Sequence, residues 1–291
     1  MSRTDSQHGS PTERRVRLLI VSGRDPSGAG IDADLAAASE PWIEAIPIVT
    51  AETDQDAGRV RSIGARDPRT WLEEAREAAG LRGARSAVIA GLPLLGIDAI
   101  KFGLLPGPEH VRAARELVRG VRIASKREIP VVVDPVIAAS SGGRFLDWAG
   151  VESLRRDLAP CGVVLTPNLP ETAEIVSAPL IRLITAPESR LASARELLAL
   201  GAVGVVIKGG HGEEDPVQDL VAEPERPARW LDHPRIPATI RGSGCRFATR
   251  LAAELGRGAS LAEAAEEAGR AVAGEIARAA GKGLGSPLRT G

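Results

Sequence analysis

The stretch VRLLIVSGRDPSGAGIDADLAAASE, residues 16–40, decides the fold of this chain. Its first eight residues form an almost continuous apolar run that ends in glycine, which predicts a strand buried on both faces. A glycine-rich turn follows, and the apolar spacing then becomes that of a helix. A buried strand, a glycine turn and a helix in this order are typical of an α/β protein with a parallel sheet.

The same order recurs along the chain. Apolar strand segments are predicted at IEAIPIVTAE, IPVVVDPVI, GVVLTPN and VGVVIKGG, and SAVIAGLPLLGIDAIKFGLL predicts one or two short strands. Helical segments lie between them; one follows Asp67 as a possible N-cap, and the last opens with a capping box of Ser260 and Glu263. The alternation predicts a mostly parallel sheet with helices on both faces.

The composition sets limits on the class of protein. The chain has 291 residues, 43% of them hydrophobic and 26% charged, with a net charge of −1. We expect a polar, disordered tail over residues 1–14 and a single domain over residues 15–291. The balanced charge gives no reason to expect a nucleic-acid partner, and no uninterrupted apolar run is long enough to span a membrane. The opening lacks the apolar core of a secretory signal, so we expect a cytoplasmic protein. The two cysteines, Cys161 and Cys245, are too far apart in the chain to suggest a disulfide framework.

Polar and charged residues follow the predicted strands. Asp25 follows the first strand, and Asp134 follows VVV. The pair Asn168 and Glu171 follows VVLTP, and Lys208 follows GVVI. Because ligands of open α/β sheets bind at the carboxyl ends of the strands, we expect these residues to share one crevice. Asp134 can cap the turn that follows it or orient Mg²⁺ through water, and both interpretations stay open.

The segment RGSGC, residues 241–245, stands directly before the helical pattern FATRLAAELGRG. Glycines allow backbone N–H groups to approach a ligand, and the first N–H groups of a helix attract anions. Gly242, Ser243 and Gly244 therefore predict a phosphate cradle. The same field is expected to lower the pKa of Cys245. Cys245 is then a base that activates a hydroxyl group, or a small polar residue of the cradle; a plain turn and helix start is the alternative.

Together, these stretches resemble the hydroxymethylpyrimidine and phosphomethylpyrimidine kinases of the ribokinase superfamily. GRDPSGAGIDADL, IVTAETDQDAGRV, IKFGLL, VVVDPVI, LTPNLPE, IKGGH, GSGC and GKGLGSP match that family in order and spacing, from about Leu18 to Pro287. The resemblance implies a ribokinase-like three-layer α/β/α sandwich with a mostly parallel central sheet.

The resemblance also implies a reaction. ATP would phosphorylate the hydroxymethyl group of an aminopyrimidine, its monophosphate, or both, in thiamine biosynthesis, with Mg²⁺ as cofactor and a homodimer as the assembly. On the acceptor side, Gln55 matches the residue that hydrogen-bonds the pyrimidine, and Asp25 and Gly30 lie in the opening signature.

On the phosphate side, the resemblance implies further roles. Asn168 and Glu171 match the element near Mg²⁺ and phosphate, and Lys208 matches the lysine beside the nucleotide. Gly242, Gly244 and Cys245 would supply the anion hole and the base. Asp134 and Glu171 are the candidate metal ligands.

Some positions depart from the family pattern. Asp32 replaces a glutamine, Ser140 a lysine and Arg241 a histidine, the opening signature has one glycine fewer, and the stretch around residues 87–97 looks longer. The segment around Gln55 is also unusually acidic, with Glu52, Asp54 and Asp56. These departures fall mostly on the substrate side, so a pyridoxine or pyridoxal kinase and a catalytically impaired ligand-binding relative stay as alternatives.

Overall fold

The computed structural model of the chain describes residues 15–55, 60–81, 96–125, 128–139 and 143–281, without the side chains of residues 55 and 60. The expected disordered tail, most of the stretch around residues 87–97, Ser140 and the final GKGLGSP segment after Gly281 lie outside the described residues.

The centre of the fold is a ten-stranded sheet. Its strands are β1 (Val16–Asp25), β2 (Ala29–Gly30), β3 (Ile43–Gln55), β4 (Val60–Ala65), β5 (Ala99–Phe102), β6 (Val131–Val133), β7 (Val164–Leu165), β8 (Gly204–Ile207), β9 (Val217–Ala222) and β10 (Arg229–His233). They lie in the order β10-β9-β8-β7-β6-β5-β1-β3-β4, with β2 paired to β1. The pairs from β8 to β3 are parallel, whereas β4, β9, β10 and the short β2 pair antiparallel.

Helices cover both faces of the sheet. They are α1 (Ile31–Ala37), α2 (Pro68–Ala78), α3 (Pro108–Ala124), α4 (Trp148–Ser153), α5 (Leu169–Ile175), α6 (Leu180–Thr185), α7 (Ser189–Ala199), α8 (Ser243–Arg257) and α9 (Leu261–Ala279). A short π-helical segment, Leu154–Leu158, and a 3₁₀ turn, Ala159–Cys161, follow α4. Asp67 caps α2 by accepting from the Arg69 amide, and Ser260 and Glu263 form the expected capping box of α9.

Strand β1 shows why the sequence specifies three layers. Leu19 and Val21 pack into the cluster formed with α2 to α7, while Leu18 and Ile20 pack into the cluster formed with α1, α8 and α9. Because alternate side chains point to opposite faces, a strand covered on both sides must be apolar at nearly every position. The predicted three-layer α/β/α sandwich with a mostly parallel sheet is confirmed.

The edges of the sheet were not predicted. β4 folds back on β3, and β9 and β10 extend the sheet beyond β8. The residues of β10 are at best half-buried, so the strand lacks the apolar run that marks the central strands. Both cysteines are free, as expected. Among the helices of the described residues, none has the length and apolarity needed to cross a bilayer.

Candidate active site

A cleft of about 670 Å³ opens at the carboxyl ends of the parallel strands. The strand order places the ends of β8, β7, β6 and β1 along it, so that residues far apart in the chain line one cavity. The lining includes all the candidate site residues except Gln55: Asp25, Gly30, Asp134, Asn168, Glu171, Lys208, Gly242, Ser243, Gly244 and Cys245. The cleft has the size of a small-molecule site.

The cradle, defined here as Gly242–Cys245, forms the start of α8 at the wall of the cleft. Gly242 has φ 69°, in the left-handed region, and a Cβ added to it would lie 2.6 Å from the Cβ of Ala33. A Cβ added to Gly244 would lie 3.0 Å from Lys208 Nζ. Glycine at these two positions lets the helix start press against α1 on one side and the lysine on the other. The first N–H groups of a helix lack intrahelical acceptors, so this turn can bind an anion.

The pKa of the Cys245 thiol differs from the expected one. The residue is partly exposed at the cleft, yet burial among the surrounding atoms raises the pKa of its thiol to about 12, whereas a lowered value was expected. Lys101 and Lys208 act to lower this pKa, but Asp34 and Asp134 act to raise it. Each lysine is paired with an acidic residue that opposes its effect on the thiol pKa. Burial therefore determines the direction of the shift. At neutral pH, Cys245 is therefore a neutral thiol.

Lys208 and Asp134 form an ion pair in the cleft. Lys208 Nζ lies 2.7 Å from Asp134 Oδ1, and both side chains are largely buried. Burial acts to lower the pKa of Lys208, and the charge of Asp134, helped by Glu171, outweighs it and raises the pKa. The lysine is therefore positively charged where it faces Gly244.

Asn168 and Glu171 form a capping box at the start of α5. Asn168 Oδ1 accepts from the Glu171 amide at 2.9 Å, and Glu171 Oε2 accepts from the Asn168 amide at 2.8 Å. Burial raises the pKa of Glu171 to about 8; Lys208 opposes this and Asp134 adds to it. The resemblance implies a metal–phosphate role for this pair, and the capping geometry brings the carboxyl group of Glu171 into the cleft near Lys208.

Asp25, at the end of β1, lines the cleft on the side where the acceptor was expected. Ser27 donates from its amide and its hydroxyl to Asp25 Oδ1, and Arg241 donates to Oδ2 at 3.0 Å. Burial acts to raise the pKa of Asp25, but these hydrogen bonds together lower it. Gly30 has φ 59°, and a Cβ there would overlap the Gly23 carbonyl oxygen, so the turn requires glycine.

Gln55 is described through its backbone alone, which pairs with Val60 in the β3–β4 hairpin. Its side chain lies outside the described residues, and so does Ser140. The expected contact of Gln55 with a pyrimidine therefore stays a prediction.

Two groups of residues, one lining the cleft and one buried close to it, were missed by the sequence analysis. Asp219 of β9 and His233 of β10 line the cleft, with His233 Nε2 3.2 Å from Asp219 Oδ2. They were missed because the edge strands were missed. The second group is Lys101, Asp34 and Thr249, which lie buried behind the cradle. A lysine inside the apolar strand AIKF and an aspartate on the apolar side of IDADLAA were the available signals.

The fold and this site define a ribokinase-like phosphotransferase scaffold. In it, the glycine-rich start of a helix lies beside a lysine in a cleft at the end of the sheet. Comparison with known proteins makes the assignment specific. The family profile described as phosphomethylpyrimidine kinase matches residues 25–287. The chain belongs to this family.

Individual relatives agree with the family. A hydroxymethylpyrimidine/phosphomethylpyrimidine kinase of Salmonella typhimurium is 33% identical over 278 residues, covering 94% of this chain and 96% of the relative. The crystal structure of a Clostridium difficile phosphomethylpyrimidine kinase has a TM-score of 0.71 at 23% identity, covering 90% of this chain and 100% of that chain, and supports the fold. A Staphylococcus aureus pyridoxal kinase in complex with ADP has a TM-score of 0.72 at 27% identity, covering 90% of this chain and 88% of that chain.

Proposed function

We propose that this protein transfers the γ-phosphoryl group of ATP to an aminopyrimidine that carries a hydroxymethyl group, to its monophosphate, or to both, in thiamine biosynthesis. The observation that carries the proposal is the meeting of the cradle with Lys208: a Cβ on Gly244 would lie 3.0 Å from Lys208 Nζ. The N–H groups at the start of a helix and an ammonium group that faces the same point can together bind the negative charge of a phosphoryl group during its transfer. Family membership supports the substrate class.

Phosphoryl transfer depends mostly on positioning and charge neutralisation. In the proposal, the amides of Gly242–Cys245 hold the oxygens of the transferred group, and Lys208 neutralises charge on the nucleotide side. A neutral Cys245 thiol cannot take the proton of the acceptor hydroxyl at neutral pH. We therefore assign Cys245 to the cradle, as a small polar residue that touches the transferred group, in preference to the role of base.

The residues of the cleft fit a magnesium ion carried in with the nucleotide. Asp134 uses Oδ1 for Lys208, and Glu171 uses Oε2 for the Asn168 amide, which leaves the second oxygen of each side chain for a cation or its water. A cation bound there would favour the ionised form of Glu171. Groups of three or more acidic, histidine or cysteine side chains that could hold a metal are absent from the described part of the chain. Mg²⁺ is commonly held by one or two carboxylates together with substrate phosphates. When bound, it would neutralise phosphate charge.

The acceptor is proposed to lie at the β1 end of the cleft. Gln55 would hydrogen-bond the aminopyrimidine edge, because an amide offers both donors and an acceptor. Asp25 and the Gly30 turn would shape the pocket next to it. The homodimer remains part of the proposal, and light scattering on the purified chain tests it.

The test is an acceptor panel. The purified protein is incubated with ATP and Mg²⁺ and either the pyrimidine alcohol, its monophosphate, or pyridoxal, and products are identified by mass spectrometry. We expect phosphate added to the pyrimidine acceptors and loss of that product on chelation of Mg²⁺. The Lys208→Met variant should be inactive; wild-type activity in it would indicate a contaminating kinase.

The panel also separates the alternatives. Pyridoxal is included as the second acceptor because the fold of this chain is similar to that of a pyridoxal kinase. Preference for pyridoxal by kcat/KM would replace the proposed substrate. Nucleotide binding by calorimetry without turnover of any acceptor would indicate an impaired ligand-binding protein and overturn the proposal.

A further inference from the structure

Three buried side chains form a hydrogen-bonded network behind the cradle. Lys101 Nζ of β5 lies 2.7 Å and 2.9 Å from the two carboxylate oxygens of Asp34 in α1. Thr249 of α8 donates its hydroxyl to Asp34 Oδ1 at 2.8 Å. The relative exposure of all three residues is 0%. A network of this kind joins three elements that are distant in the chain.

The network carries charge. An ammonium group that bonds to both oxygens of a carboxyl group requires those oxygens to be acceptors, so the geometry favours the ionised pair. Burial acts to lower the pKa of Lys101, and the charge of Asp34 outweighs it and raises the pKa. Burial also raises the pKa of Asp34, but its three hydrogen bonds stabilise the carboxylate, and we take the ionised form.

Stability alone is a poor reason for such a pair. Taking two charges out of water costs several kcal/mol per ion, in order of magnitude, and apolar residues of similar volume are often as stable. The surroundings are apolar, since Lys101 and Asp34 lie among the residues that pack between the sheet and α1, α8 and α9. A role in the cleft would explain the pair.

Two members of the network lie next to the cradle, and the third lies at a neighbouring strand end. Thr249 lies one helical turn after Cys245, on the same face of α8. Asp34 follows Ala33, whose Cβ would lie 2.6 Å from a Cβ on Gly242. Lys101 Nζ would lie 2.8 Å from a Cβ on Gly103, at the carboxyl end of β5. The network therefore links the first half of α8 to α1 and to β5.

We propose that Lys101, Asp34 and Thr249 form a positioning network that holds the cradle of Gly242–Cys245 in the geometry required for phosphoryl transfer. The network touches neither substrate, so it acts through the cradle. Loss of the network should lower kcat and leave nucleotide affinity nearly unchanged, because a displacement of about 1 Å at a reacting group can cost a hundredfold in rate. The kinetic part of this inference rests on the proposed kinase function.

The test uses two variants and one control. Lys101→Met with Asp34→Leu replaces the pair by apolar side chains, so that no single charge stays buried. Thr249→Val keeps the shape and removes one hydrogen bond. The control is Ser153→Ala, which removes a hydroxyl–carboxylate bond of the same length, 2.8 Å to Asp157, in the opposite layer. The readouts are the melting temperature, ADP affinity by calorimetry, kcat and KM, and hydrogen–deuterium exchange of residues 242–247.

We expect at least a tenfold fall in kcat in the double variant and a three- to tenfold fall in Thr249→Val. ADP affinity should change less than threefold in both. Amide exchange should become faster in residues 242–247 and stay constant in α9. Ser153→Ala should show none of these changes.

Wild-type kcat and exchange in a folded double variant would show that the network serves the fold alone and overturn the proposal. If the double variant fails to fold, Thr249→Val decides: unchanged kcat and exchange overturn the proposal, and the expected changes support it. If the wild-type protein phosphorylates no acceptor, the proposed function fails, while exchange at residues 242–247 still tests whether the network holds the cradle.

Discussion

Lys208 Nζ lies 2.7 Å from Asp134 Oδ1, directly beside the backbone of Gly244. The two side chains therefore neutralise each other at the point where phosphate is proposed to bind. A nucleotide would bring negative charge to the lysine, and its cation would bring positive charge to the aspartate.

The cradle depends on glycine at position 242. Gly242→Ala should reduce kcat by at least tenfold, because the new Cβ meets Ala33 at 2.6 Å and must displace the helix start. The matched control is Gly258→Ala at the other end of α8, where φ is 98° and nothing lies within 4 Å of the new Cβ. Both variants carry a left-handed alanine, which costs about 1–2 kcal/mol. Equal kcat in the two variants would show that the contact with Ala33 does not matter.

The raised pKa of the Cys245 thiol predicts slow chemistry at neutral pH. Alkylation by iodoacetamide, followed by peptide mass spectrometry, should be slow at pH 7 and rise steadily up to at least pH 10, because the thiolate is the reactive form. Cys245→Ala should lower kcat more than it changes KM, and Cys161→Ala is the control. Rapid neutral alkylation of Cys245, or a kcat that follows a thiol ionisation near pH 7, would restore its role as base.

The stability of the ligand-free protein should depend on pH through Glu171. Its pKa is raised from 4.5 to about 8 on folding, so the folded state retains a proton that the unfolded state loses. This contribution to stability is complete below pH 4.5 and is lost as pH rises to about 8. The variant Glu171→Gln keeps an oxygen for the capping bond and does not ionise.

The free energy of unfolding of Glu171→Gln minus that of wild type should therefore increase by more than about 1 kcal/mol between pH 5 and pH 8.5. Denaturant titrations at several pH values measure it. Glu174→Gln, on the same helix with a partly exposed carboxylate bonded to Arg144, is the control. A pH-independent difference for Glu171→Gln would contradict the raised pKa.

Arg241 and Asp25 link the start of the cradle to the acceptor turn. Since 43% of the Arg241 side chain is exposed, Arg241→Met should cost less than about 1 kcal/mol of stability. It should raise the KM of the acceptor several-fold and leave the KM of ATP unchanged. The control, Arg76→Met, breaks an exposed pair with Glu116 between α2 and α3. Equal effects of both variants on the acceptor KM would remove Arg241 from the acceptor side.

The Arg241 variant should also respond to pH. Hydrogen bonds from Ser27 and Arg241 lower the pKa of Asp25 against the effect of burial. The stability they provide is present above the ordinary carboxyl pKa and is lost as pH falls. The difference between wild type and Arg241→Met in free energy of unfolding should therefore shrink in acid.

Much of the fold could be predicted because its signals are local. Strand β1 is apolar on both faces, and Ser260 with Glu263 makes a capping box within four residues. The edge strands β9 and β10 could not be predicted: Gln218 and Asp219 interrupt the apolar residues of β9, and the partly exposed residues of β10 carry no continuous apolar run. With them, Asp219 and His233 of the cleft were missed.

The sequence by itself determined the central strands, the alternation of strands and helices, the glycines of the cradle and the family. Those features depend on short runs of neighbouring residues. The tertiary structure alone decided which charges meet: Lys208 with Asp134, 74 residues apart, and Thr249 with Asp34, 215 residues apart. It also decided that the Cys245 pKa rises. The reason is physical, since burial and the distance between charges set a pKa, and both arise from packing of segments that are remote in the chain.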